Sequence, residues 1–151
     1  TTNFGTAHIA VPNKHKVGVI ERPLGLQGAL LTFAIRTLDK QDPKRHFTTM
    51  QNNILPADDF SQEIVKAAAK PDGDDLIYVH SWNTSFEQAS FAAAQLSHDL
   101  QFAGATMLFS WPSRAAFSAY AADQEAALAS LAPLNDLLVR TRQAVGPQAK
   151  I

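Results

Sequence analysis

The stretch from Leu76 to Phe109 constrains the fold more than any other part of the chain. The apolar run Leu76-Ile77-Tyr78-Val79 leads into a polar turn, His80-Ser81-Trp82-Asn83, and then into an alanine-rich segment that reaches Gly104. A second apolar run, Ala105 to Phe109, follows. Short continuous apolar runs of this kind suit strands buried on both faces of a sheet. The segment between them carries Phe86, Ala89, Ala93, Leu96 and Leu100 at helical spacing, with Thr84 or Ser85 placed to cap its start. Its alanines allow close packing onto a sheet, and Gly104 is expected to end it. A helix between two strands returns the chain to the same end of the sheet, so the strands are expected to be parallel neighbours.

Alternation continues on both sides of this unit. Phe60, Ile64 and Ala67 or Ala68 share one helical face, with Asp58 and Asp59 at the end where the helix dipole favours negative charge. Pro71-Asp72-Gly73 breaks that helix. Downstream, a helical stretch starts near Ser118 and is interrupted at Pro133. It continues through Leu134, Leu137, Leu138, Thr141 and Val145, and Gly146-Pro147 closes it. Gln148 to Ile151 reads as the approach to a further strand. The N-terminal third differs. Thr6 to Val11 is a short strand closed by Pro12, a loop rich in Gly and Pro follows, and Ala29 to Leu38 is apolar. His46 to Leu55 is expected to return as the partner of Ala29–Leu38, giving an antiparallel hairpin with a long turn. The expectation is one α/β domain over residues 1–151, with a mainly parallel sheet and an N-terminal antiparallel hairpin.

Composition removes several function classes. With 46% hydrophobic and 18% charged residues and a formal net charge of -1, the chain has no overall pull toward nucleic acid or acidic membranes. The basic clusters Lys14-His15-Lys16 and Lys44-Arg45-His46 lack interleaved aromatics and read as solvated loops. The chain has no cysteine, which excludes disulfides, thiolate catalysis and Cys-ligated metals. His8, His15, His46, His80 and His98 show no metal-ligand spacing, and the glycines form neither a phosphate loop nor a dinucleotide fingerprint, so no metal or cofactor is expected. No apolar run has the length of a membrane span. The chain opens at Thr1 without Met, so the compartment stays open: cytoplasmic, or periplasmic if a leader has been removed.

Chemistry is expected at the turn from His80 to Ser85. In open α/β sheets, ligands bind outside the carboxyl ends of strands. Backbone N–H groups at the helix start suit an anion or a developing oxyanion. Ser81 imitates a nucleophile elbow, but a tight elbow needs small residues on both sides, and Val79 and Asn83 flank it. No Asp and His follow in a convincing order, since His98 lies inside a helix and His98-Asp99 reads as a solvated face. Trp111 either lines a pocket or plugs the core beside Pro112. Tyr120 and Asp123, one helical turn apart, read as braces for the turn around Pro112.

Taken together, Leu76 to Ala89 resembles the "vfvHGyNtsFedA" stretch of a bacterial α/β-hydrolase family of unknown function. Ala94-Gln95-Leu96-Ser97-His98-Asp99-Leu100 and Phe102-Ala103-Gly104 resemble its next helix. Leu108-Phe109-Ser110-Trp111-Pro112-Ser113 resembles its "lfSWPS" strand end, followed by Tyr120 and Asp123. Phe4-Gly5, Val11-Pro12 through Val17-Gly18, and Glu21-Arg22-Pro23 resemble its N-terminal segment, so the likeness spans nearly the whole chain.

The resemblance implies a serine-hydrolase scaffold of esterase type, acting on a small ester-like substrate. By position, the backbone N–H of Trp82 is the implied oxyanion donor, in a loop it shares with Ser81. His80, Asn83, Trp111 and Tyr120 are the implied substrate contacts. The nucleophile of such a fold sits on a later elbow, and the sequence stops at Ile151, about where that strand is expected to begin. The Ser, acid and His of a triad have no matching positions. The expectation is therefore the N-terminal portion of an α/β-hydrolase, truncated before the nucleophile strand. It becomes a catalyst only when completed, or else serves as a non-catalytic binding or oligomerisation module. An exposed sheet edge is expected to pair with a second copy or with the missing C-terminal half. One departure stands out: the family's turn Gly is Ser81, which carries a strain of about 1–2 kcal/mol if that position requires φ > 0.

Overall fold

The computed structural model describes residues 2–23, 40–68 and 74–151. Strand β1 (Phe4–Ala10) pairs antiparallel with β2 (Thr48–Leu55), from Phe4 opposite Leu55 to Ala10 opposite Thr48, with a bulge between His8 and Ile9. A Cβ on Gly5 would collide with the Asn53 carbonyl, so the pairing requires glycine there. The antiparallel unit therefore exists, but the partner of β2 among the described residues is β1. The Ala29–Leu38 run, expected as that partner, lies outside them.

Helix α1 (Ala57–Ala68) starts directly after Pro56, whose carbonyl accepts the first helical bond from Phe60 at 3.0 Å. Asp58 and Asp59 lie in its first turn and Lys66 in its last, both favourable to the dipole. Strand β3 (Leu76–Val79) runs parallel to β4 (Thr106–Phe109), with Leu76 opposite Thr106 and Val79 opposite Phe109. Helix α2 (Phe86–Asp99) connects them. Ser85 caps it: its hydroxyl accepts from the Gln88 amide at 3.2 Å, and the Gln88 side chain accepts from the Ser85 amide at 2.8 Å. That reciprocal box satisfies two amides that have no helical partner.

Side-chain alternation along β4 sorts the layers. Met107 joins Ile64 and Ala105 in a core completed by Phe60, Ile77 and Val145. Phe109 joins Trp111 and Leu137 in a second. Both cores lie on the side of α1 and the final helix. Thr106 turns the other way and donates to Ser97 of α2 at 2.9 Å. Helices thus cover both faces of the parallel pair, as a doubly wound unit requires. Beyond α2, Phe91 packs against the fully buried Phe47, with ring centroids 5.9 Å apart.

Some expectations need correction. β3 is not buried on both faces: its residues are half-buried and Val79 is 44% exposed. β4 is its only paired strand among the described residues. Helix α2 ends at Asp99, and the left-handed residue in its closing turn is Gln101 (φ 51), not Gly104. Gly104 has another duty, because a Cβ there would collide with the Asp74 carbonyl at the approach to β3. The buried face of α2 is Ala89, Ser90, Phe91 and Ala93, while Phe86 and Leu100 at its ends are exposed.

A 3-10 turn (Phe117–Ala119) leads into α3 (Tyr120–Ala129), and α4 (Leu131–Val145) follows at once. The break falls at Ser130, ahead of Pro133, because proline is tolerated in a helix's first turn, where its missing N–H leaves no bond unmade. Leu137 and Thr141 of the expected stripe are buried, and Leu138 is not. Thr141 stays satisfied by donating to the Leu137 carbonyl at 2.8 Å. Gly146 (φ 85) closes α4. The Asp75 N–H then donates to the Lys150 carbonyl at 2.9 Å, while the Leu76 N–H donates to Ala105 on the β4 side at 2.8 Å. Successive amides of an extended chain point to opposite sides. The segment after α4 therefore comes alongside β3 at the edge away from β4.

Candidate functional site

The turns after β3 and β4 meet at the carboxyl end of the parallel pair, and two side chains, His80 and Trp111, tie them together. His80 is 3% exposed. Its Nδ1 lies 2.9 Å from the Ser81 carbonyl, and its Nε2 lies 3.0 Å from the Trp111 carbonyl and 3.2 Å from Ser110 Oγ. Carbonyls only accept, so the tautomer sets the pattern: with the proton on Nδ1 the ring donates to Ser81 and accepts from Ser110 Oγ at Nε2, and with the proton on Nε2 it donates to Trp111. Trp111 returns the contact: its indole N–H donates to the His80 carbonyl at 2.9 Å, and the rings stack at 5.0 Å.

Asp123, in the first turn of α3, braces the second of these turns. It is 1% exposed. It accepts from Ser113 Oγ at 2.7 Å and from the Arg114 N–H at 2.9 Å. Burial pushes its carboxyl upward, but the Arg114 amide, the Ser113 hydroxyl, the Arg114 charge and the Asn83 amide hold it below the usual carboxylate range. One side chain thus holds the turn after β4 to the start of α3.

The first turn has Trp82 and Asn83 at its corner, with Asn83 left-handed at φ 58. Position i+2 of a type II turn requires such a value, and Asn tolerates it better than most residues. Ser81 does not lie in the left-handed region, so the strain considered for the family's Gly position falls on Asn83 instead. Ser81 itself is exposed. Its hydroxyl lies 3.4 Å from the Trp82 carbonyl and 3.5 Å from Thr84 Oγ1, with no His or carboxylate in hydrogen-bond contact. No elbow geometry or activating base surrounds it.

Among the described residues, the Trp82 backbone N–H has no hydrogen-bond partner. The indole N–H of the same residue is buried without one. Phe117 and Tyr120 meet the indole edge-on at 4.8 and 5.3 Å, and both are largely exposed, at 79% and 59%. The structure therefore brings His80, Trp82, Asn83, Trp111 and Tyr120 into one neighbourhood, with Ser81 on its solvent side. His80 and Trp111 are interior ties, while Trp82 and Tyr120 belong to an exposed aromatic wall. Trp111 both joins the core and lines a wide groove of about 1600 Å³, shared with Phe4, Phe60, Ile64 and Met107.

Sequence reasoning overlooked several contacts. Phe117 gives no periodic signal in the irregular stretch before α3. His15, expected in a solvated loop, is a buried link: it donates through Nδ1 to Glu21 at 2.9 Å and through Nε2 to Asp99 of α2 at 2.7 Å. The Glu21 bond raises the His15 pKa above 6.5 against the opposing effect of burial, and Asp99 adds to the rise. The Gly18 amide lowers Asp99 against burial, with His15 assisting. Burial pushes Glu21 up, yet His15 and the Lys16 amide hold it below 4.5. Asp99 is thus no solvated helix face. His46 of the second basic cluster is buried as well. The signal for such contacts is long-range and has no periodicity to reveal it. Among the described residues, no group of His, Asp and Glu could hold a metal, and no helix is long and apolar enough to cross a membrane.

Helices on both faces of a parallel pair, with two tied turns at its carboxyl end, define a doubly wound α/β unit. Residues 56–149 match the model of a family described as alpha/beta hydrolase of unknown function (DUF900), and the chain belongs to that family. Neither a curated protein nor a solved structure matches it.

Proposed function

We propose that this chain supplies the oxyanion-loop half of a serine esterase-type hydrolase acting on a small ester or related acyl bond. The nucleophile, acid and base are supplied by polypeptide outside residues 1–151. The observation that carries this reading is the unpartnered Trp82 N–H at the carboxyl end of β3, beside the start of α2. A preorganised amide in that position stabilises charge developing on an acyl oxygen, because it needs no reorientation during the reaction. The aromatic wall of Trp82, Phe117 and Tyr120 offers an apolar surface to the rest of the substrate. The β3 edge approached by Lys150 is the place for a pairing strand, from the remainder of the protein or from a second copy.

Fluorophosphonate labelling of the protein isolated from its source, followed by peptide mapping, tests this. The expected label sits on a serine outside residues 1–151, and Ser81→Ala leaves it intact. A label on Ser81 overturns the assignment. No label at all leaves the chain as a non-catalytic binding module.

A further inference from the structure

We infer that His80 is a positioning residue: its Nδ1–H holds the Ser81 carbonyl and so aims the Trp82 N–H, while the Ser110 hydroxyl keeps the ring proton on Nδ1. The hold rests on geometry alone, whereas its catalytic consequence rests on the reading of that N–H as an oxyanion donor.

The Ser81 carbonyl and the Trp82 N–H belong to one peptide. That peptide is planar and trans, so its carbonyl and its N–H point in opposite directions. Whatever grips the carbonyl therefore sets the heading of the N–H. The imidazole grips it at 2.9 Å, and among the described residues no other donor reaches it. The ring is itself fixed in place. His80 is buried, Trp111 stacks on its ring at 5.0 Å, and the Trp111 indole N–H holds the His80 carbonyl at 2.9 Å. With the Ser81 carbonyl turned toward this buried ring, the Trp82 N–H is directed away from it.

Which ring nitrogen carries the proton decides whether the grip exists. Each neutral form leaves one ring lone pair facing a carbonyl, so the remaining bonds set the balance. With the proton on Nδ1, the ring donates to Ser81 and accepts from Ser110 Oγ, 3.2 Å from Nε2. With the proton on Nε2, the ring makes one bond, to the Trp111 carbonyl at 3.0 Å. The Trp111 carbonyl already accepts from the Ser113 N–H at 2.8 Å, so it does not depend on the ring. The Nδ1–H form thus makes two bonds against one, and it satisfies the carbonyl that has no other donor. Strand register supplies the hydroxyl: His80 and Ser110 directly follow Val79 and Phe109, which lie opposite each other in the parallel pair. A histidine that merely joined the two strand ends would need only the Trp111 bond.

In ¹⁵N NMR of the natural full-length protein in mildly alkaline buffer, the His80 proton is expected on Nδ1. Ser110→Ala removes the donor to Nε2 and is expected to raise the ratio of Nε2–H to Nδ1–H by up to about tenfold. Ser110→Thr keeps the hydroxyl and is expected to keep the ratio. An asparagine side chain can donate from the place of Nδ1, and a glutamine side chain from the place of Nε2. In protein that takes a fluorophosphonate label, His80→Gln is therefore expected to lower kcat by up to about 100-fold with KM nearly unchanged, and His80→Asn to lower it less. A proton on Nε2 in the unsubstituted protein overturns the proposal, whether or not the His80 variants fold. An unchanged ratio in Ser110→Ala overturns the part given to Ser110. Equal losses of kcat in the two His80 variants overturn the positioning role. Absence of any label in the unsubstituted protein removes the oxyanion reading and the positioning role with it, and the position of the ring proton still decides the hold.

Discussion

Trp111→Phe removes one side of the tie between the two turns while preserving an aromatic ring against His80. The indole N–H donates to the His80 carbonyl at 2.9 Å in an interior position, and Trp111 itself is buried. Deleting a donor there leaves a buried carbonyl unsatisfied, at about 1–3 kcal/mol. The smaller ring also gives up burial equivalent to roughly one or two methylenes, about 1 kcal/mol. The stacking at 5.0 Å is largely kept by phenyl and contributes little to the difference. The expected loss is about 2–4 kcal/mol. Urea unfolding followed by far-UV circular dichroism measures it: the midpoint falls while the slope is preserved, since the surface exposed on unfolding hardly changes. A loss below about 0.5 kcal/mol, the range of ordinary surface substitutions, would falsify the tie as an energetic element of the fold.

The left-handed corner and the His15 link give two further tests. Asn83→Gly is expected to be neutral or stabilising, and Asn83→Val to cost about 1–2 kcal/mol, because only glycine occupies φ 58 freely; thermal melts of the pair would refute this if valine matched glycine. The His15 imidazole is expected to titrate above 6.5, since Glu21 and Asp99 both favour its charged form. Its contribution to holding the loop from Asn13 to Glu21 against α2 is fully present below 6.5 and lost as pH rises through the higher folded value. The lowered carboxyls of Glu21 and Asp99 act in the opposite sense: their contribution is present above the ordinary values of 4.5 and 3.8 and lost as pH falls through the folded ones. The attachment is thus strongest between the carboxylate range and neutrality. His15→Gln removes the loss on the alkaline side. An imidazole midpoint at or below 6.5, followed by NMR, contradicts the link.

Much of the site could be read from residue order. The run Leu76–Val79, the polar turn and the alanine face of α2 are local signals. Periodicity and capping chemistry act within a few residues, and a strand followed by a helix places its turn at the carboxyl end of a sheet. The family likeness was legible for the same reason, since its motifs lie on those elements and on the strand end at Trp111. The details at each end were less legible. Pro133 marked the break between α3 and α4 only approximately, because proline is accepted inside the first turn it was expected to interrupt.

What tertiary structure alone decided are the contacts between residues far apart in the chain. No spacing shows that His80 and Trp111 clasp each other or that His15 joins Asp99 across 84 residues, whereas Asp123, read as a brace for the turn around Pro112, does reach Ser113 and Arg114. Nor does spacing show that β2 lies against β1. A hydrogen-bond partner is chosen by which groups the packed layers bring together, and a lone His, Asp or Trp carries no period that announces its partner. The sequence by itself therefore determined the class of fold and the location of the turn. Its conformation, with the left-handed residue at Asn83 instead of Ser81, shows only in three dimensions, where Trp111 holds the His80 carbonyl from 31 positions downstream.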